Sequence, residues 1–72
     1  MPETIIPSEI TGTVWKIEVQ AGERVTQDQT LVVMESMKME IPLSAPCNGV
    51  VLRILVAEGD PVVEGQDVVV LE

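Results

Sequence analysis

Apolar and polar side chains alternate with period two along much of this chain. Trp15, Ile17 and Val19 interleave with Lys16 and Glu18, and later Leu52, Ile54 and Val56 interleave around Arg53. Such alternation describes a strand with one face turned inward and one outward. Trp15, Ile17 and Val19 are therefore expected in the core, as are Leu52, Ile54 and Val56. Each strand runs into a tight turn, Ala21-Gly22-Glu23 or Glu58-Gly59-Asp60, where glycine supplies a positive φ. Pro61 follows its turn at a place where a strand edge tolerates the missing N–H. Thr30 to Glu35 and Asp67 to Leu71 read as further strands. No segment carries a helical period, and Gly59 and Pro61 break the polar stretch from Glu58 to Glu64.

The two halves repeat one another without a gap. Laying Gly12 over Gly49 also pairs Val14 with Val51, Ile17 with Ile54, Val19 with Val56, Gly22 with Gly59 and Gln29 with Gln66, and Glu35 with Glu72. Valine is common here, so the glycine and glutamine pairs carry most of the weight. Each half reads as strand, turn, short strand, turn, strand. The expected fold is all-β: a flattened barrel or sandwich of two small antiparallel sheets, packed face to face and related by a pseudo-twofold axis.

The repeat leaves Ser36 to Ser44 without a partner. Apolar runs flank it, Leu31 to Met34 before and Ile41 to Leu43 after, so it reads as a β-hairpin with Met37-Lys38 at its tip. A two-residue hairpin loop normally holds Asn-Gly or Asp-Gly, because its backbone needs positive φ. Met-Lys is a poor choice for that job, and local rules are most often broken where a site is built. By itself, a lysine on a hairpin tip is ordinarily a solvated charge, with the methionines folded back onto the core.

Charge narrows the function. The formal net charge is −8, and Lys16, Arg24, Lys38 and Arg53 are the only basic side chains. No basic patch could neutralise several phosphates, so nucleic acid is excluded as a partner. An anionic membrane surface would repel the chain, and its apolar runs are too short to span a bilayer. There is no histidine and Cys47 is the sole cysteine, which rules out an internal disulfide and a thiolate metal cluster. A lone cysteine and a start without a signal-peptide pattern fit a reducing, cytoplasmic setting.

Glu35-Ser36-Met37-Lys38-Met39 closely resembles the biotin attachment motif, usually Glu-Ala-Met-Lys-Met, with a small-for-small change at Ser36. The resemblance extends over nearly the whole chain: Gly12 to Val19, Ala21-Gly22, Pro46 to Gly49 and Glu58-Gly59-Asp60 follow the order of biotinyl-domain elements. Residues 1–72 are accordingly expected to form one biotinyl domain of the short, thumbless kind, a barrel-sandwich hybrid that behaves as a monomer. The resemblance implies that Lys38 carries covalent biotin and that Met37 and Met39 position the lysine, with Glu35, Ser36 and Glu40 completing the motif around it. It also implies the partners. A biotin protein ligase would attach the group, since lysine amines are protonated at neutral pH and the chain offers no obvious base. Biotin carboxylase and carboxyltransferase domains or subunits would then use it, biotin taking up a carboxyl group at the first site and passing it to an acceptor at the second. Acetyl-CoA is the first candidate acceptor, then other acyl-CoAs, pyruvate or urea. The domain itself would be a non-catalytic carrier.

Rival readings share the fold. A lipoyl carrier of a 2-oxoacid dehydrogenase resembles Asp-Lys-Ala at the tip, where this chain has Met37-Lys38-Met39; attachment of either group stays open. An unmodified structural module has no reason to keep a lysine framed by methionines. Among the other candidates, Cys47 has no histidine to activate it and is expected to be a buried or half-buried thiol. Asp60, Glu64 and Asp67 lack the spacing of a calcium loop and read as a solvated acidic rim.

Overall fold

The computed structural model describes residues 3–72, and among them there are eight strands and no helix. The strands are β1 (Thr4–Pro7), β2 (Gly12–Ile17), β3 (Arg24–Val25), β4 (Thr30–Ser36), β5 (Met39–Ser44), β6 (Gly49–Ile54), β7 (Pro61–Val62) and β8 (Asp67–Leu71). They form two four-stranded antiparallel sheets, ordered β1-β8-β6-β3 and β5-β4-β2-β7. The repeat register maps one sheet onto the other, strand for strand. The expected sandwich with pseudo-twofold symmetry is therefore the observed architecture.

Symmetry reaches the turns. Gly22 and Gly59 adopt φ of 92° and 91°, a region closed to most side chains. The Gln20 N–H donates to Glu23 Oε1 at 3.2 Å, and the Ala57 N–H to Asp60 Oδ2 at 2.9 Å. Thr26 and Val63 N–H groups donate to Gln29 and Gln66 Oε1 at 3.1 and 3.2 Å. These bonds give the repeated glutamines a reason: each side chain satisfies a turn donor that no ladder reaches.

The core lies between the sheets and is built almost wholly from aliphatic side chains. Val14, Val25, Leu31, Val32, Met34, Val51, Val62, Val68, Val69 and Leu71 are fully buried. Burying each contributes about 1.5–3 kcal/mol, which is how a chain of this size holds together without a disulfide. No buried side-chain polar atom among the described residues lacks a hydrogen-bond partner.

Four expectations need correcting. Trp15 is 49% exposed, because the β2–β4 register shifts between Val14 and Lys16 and the inward place falls to Val14. A bulge of this kind adds one residue to one strand and re-aims its side chains. The same irregularity recurs between Val51 and Arg53, so Val51 takes the core place and Leu52 is only partly buried. Ile17, Ile54 and Val56 pack against the core as expected, but from its margin. Cys47 is exposed: it sits in the link between β5 and β6, where Ala45 fills the core instead. Finally, Ile41 to Ser44 does have a repeat partner, the unanticipated strand β1. Ile6 and Leu43 are buried counterparts, as are Ser8 and Ala45. Among the described residues, 36–39 have no counterpart at this offset.

Of the four edge strands, β1, β5 and β7 contain a proline (Pro7, Pro42 and Pro61) and β3 has only two residues.

Candidate functional site

Within the stretch 36–39, Met37 and Lys38 link β4 to β5. Their ladder pairs Val33 with Pro42, Met34 with Ile41, Glu35 with Glu40 and Ser36 with Met39. Met37 and Lys38 are left as a two-residue loop with φ of 52° and 65°. Positive φ at both central residues is the requirement of a type I′ hairpin turn. Holding a non-glycine residue there costs about 1–2 kcal/mol. Such strain persists only where surrounding structure over-determines it.

Two features clamp the tip from below. Met34 and Leu43 anchor β4 and β5 in the core. On the other flank, Gly12 of β2 lies so close to β4 that a Cβ there would overlap the Glu35 carbonyl oxygen and sit 3.4 Å from the Ser36 Cβ. Glycine at this position lets the backbones approach and seats the base of the hairpin.

Above the clamp the side chains stand in solvent. Met37 is 92% exposed and Met39 62%, so the methionines do not fold back onto the core. Lys38 is exposed and, among the described residues, makes no ion pair or side-chain hydrogen bond. Glu35 and Glu40 are both exposed, directly opposite one another, and Ser36 is half-buried. All six residues singled out in the sequence thus gather on one hairpin: a primary amine at the apex, apolar side chains on either side, and two carboxylates one pair further down. Elsewhere, Asp60, Glu64 and Asp67 are exposed. No group of three or more potential metal ligands forms among the described residues. Gly12 is the residue whose part in the site the sequence did not reveal, although its match to Gly49 was a signal: Gly49 meets the Glu72 carbonyl oxygen in the same way, with a Cβ placed at 2.8 Å.

A family profile described as "Biotin-requiring enzyme", biotin/lipoyl type, matches residues 3–71. The chain is 42% identical over 57 residues to the biotin/lipoyl attachment protein of Bacillus subtilis, covering 79% of this chain and 78% of that protein. The urea carboxylase of Kluyveromyces lactis superposes with a TM-score of 0.94 at 32% identity, over all of this chain and 6% of that one. The lipoyl domain of the 2-oxoglutarate dehydrogenase complex from Azotobacter vinelandii superposes with a TM-score of 0.76 at 28% identity, over 93% of this chain and 95% of that one. The chain thus spans most of the two small proteins and a small fraction of the carboxylase.

Proposed function

The chain belongs to the biotin/lipoyl attachment family, and on that premise we propose that it is a biotin carrier with Lys38 as its attachment point. The observation that supports this best is the Met37-Lys38 turn. Two side chains that disfavour positive φ occupy it, and the strain has a purpose if the lysine must stand at the apex.

The tip fits the group. An exposed amine without a competing ion pair is open to acylation, and Met37 and Met39 offer apolar surface beside it. The amide would form between Lys38 Nζ and the biotin carboxyl. Nζ must lose a proton first, and the only titratable neighbours in the motif are the carboxylates Glu35 and Glu40. A biotin protein ligase would therefore supply the biotin carboxyl as an acyl-adenylate, whose bond to AMP breaks as the amide forms, together with the proton acceptor. When bound, biotin would supply a ureido nitrogen that accepts a carboxyl group at one site and yields it at another.

The rigid ladder beneath the tip serves that exchange. It fixes the base of the arm, so that the attached group sweeps a defined volume at high local concentration. The partners are then the biotin carboxylase and carboxyltransferase parts of a biotin-dependent carboxylase, and the carrier contributes presentation rather than catalysis. Likeness to a urea carboxylase supports this class. The acceptor is a small molecule of the acyl-CoA, 2-oxoacid or urea type, acetyl-CoA included. Lipoate is a second candidate group, favoured by the likeness to a lipoyl domain and to a biotin/lipoyl attachment protein.

Co-expression with a biotin protein ligase, followed by streptavidin blotting and intact mass, tests the assignment. One biotinyl group is expected on the wild type and none on Lys38→Arg, with the fold unchanged. Biotin retained by Lys38→Arg overturns it, and a lipoyl increment in a parallel culture with lipoate ligase decides the second group.

A further inference from the structure

Trp15 stands out among the exposed apolar side chains because the fold turns it outward. The chain has one tryptophan, and the β2 bulge sets it on the solvent side of the sheet that carries the hairpin. β2 is an interior strand, flanked by β4 and β7. An exposed side chain on it therefore lies on the sheet's outer face. The neighbouring positions on that face are Val33, half-buried, and Pro42, exposed, paired with each other and, through Val33, with Lys16. Closer to the tip come Thr13, Glu35 and Glu40, exposed and in register. Lys16 is the cation of this face, and Glu18 neutralises it at 3.5 Å. The surface is thus an aromatic and aliphatic patch with an acidic border, continuous with the hairpin. Like charges placed opposite each other on adjacent strands are destabilising, and Glu35 and Glu40 bear that cost with no counter-ion among the described residues.

We propose that this outer face is the docking surface for the ligase that modifies Lys38, with Trp15 as its apolar anchor and Glu35 and Glu40 met by cationic side chains of the enzyme. This rests on the assignment of Lys38 as the modified amine. The ligase is favoured over the carboxylase partners by reach. Trp15 lies beside Val33 and Met34, three to four residues below the tip, or about 10–13 Å along the strand. An enzyme that acylates the bare amine has only the lysine side chain to bring into its active site, so it must close upon the hairpin and the sheet next to it. Enzymes that act on the far end of an attached arm can remain clear of that face. Tryptophan is also among the side chains in which binding energy concentrates at interfaces.

The test is steady-state kinetics of modification, with a purified biotin protein ligase, biotin and ATP, and the folded domain as varied substrate. Trp15→Ala is expected to raise KM for the domain about tenfold or more with kcat changed less than about twofold, the pattern of lost binding outside the chemistry. Trp15→Phe is expected to recover most of the loss. Leu55→Ala, which removes an apolar side chain 48% exposed elsewhere on the domain, is expected to behave as wild type. Thermal unfolding of each variant separates docking from folding. A folded Trp15→Ala protein with wild-type KM overturns the docking surface and leaves Lys38 as the acceptor. A wild-type domain that is not modified, or is modified elsewhere, overturns the acceptor assignment itself.

Discussion

The α-carbon of Gly12 faces the main-chain carbonyl of Glu35 so closely that no side chain fits between them. Strand β2 thereby braces β4 at the foot of the hairpin. A methyl group here must displace backbone, not a flexible side chain. Gly12→Ala is therefore expected to destabilise the domain by about 1–3 kcal/mol, the usual range for overpacking. A Cβ placed on its repeat mate Gly49 would lie farther from backbone, 2.8 Å from the Glu72 carbonyl oxygen, so Gly49→Ala should cost less. Urea unfolding of both variants checks the order.

The turn strain predicts a gain in stability on removing the site. Replacing Met37→Asn together with Lys38→Gly puts residues suited to positive φ at both tip positions. The double variant should unfold at higher urea, by about 1–2 kcal/mol, and should accept no biotin. Unchanged or reduced stability would mean that the tip residues are not strained.

Facing carboxylates make a third prediction. Glu40→Lys places an ammonium opposite Glu35 and turns a repulsive pair into an attractive one. Cross-strand pairs of this kind differ by about 0.2–1 kcal/mol, and screening reduces the difference at exposed positions. The variant should be more stable than wild type in low salt, with the gap shrinking in high salt. Modification by the ligase should nevertheless slow.

Because Cys47 is exposed in the link between β5 and β6, it should react with a thiol reagent in the native domain nearly as fast as in denaturant. Cys47→Ser should change stability by no more than about 0.5 kcal/mol. Marked protection in the native state would restore the expectation of a buried thiol.

These outcomes depend on features of unequal legibility. The offset between the halves carried the turns, the short strands and the face-to-face sheets, because Gly22 with Gly59 and Gln29 with Gln66 do the same local work in both. The hairpin was legible as well, and so was the mismatch between Met37-Lys38 and the positive φ its turn demands. Trp15 was misplaced because a bulge inserts one residue without disturbing the apolar rhythm that announces the strand: Val14 and Trp15 are both apolar, and alternation alone does not say which one faces in. Strand β1 was missed because four residues are too few to show a period, although Thr4 to Pro7 lies over Ile41 to Ser44 at the same offset. Gly12 was visible only as a repeated glycine, since a close backbone approach is a property of two strands and not of one.

The prolines at the sheet margins have a consequence of their own. A valine-rich sequence such as Val68-Val69-Val70 would, in an open ladder, invite neighbours to zip on and grow into fibres. Here three flanks are interrupted by residues that cannot donate to a newcomer, and the fourth is only two residues long. Crowded copies of the domain should accordingly remain dispersed, and a foreign chain gains purchase through side chains, not by lengthening either sheet.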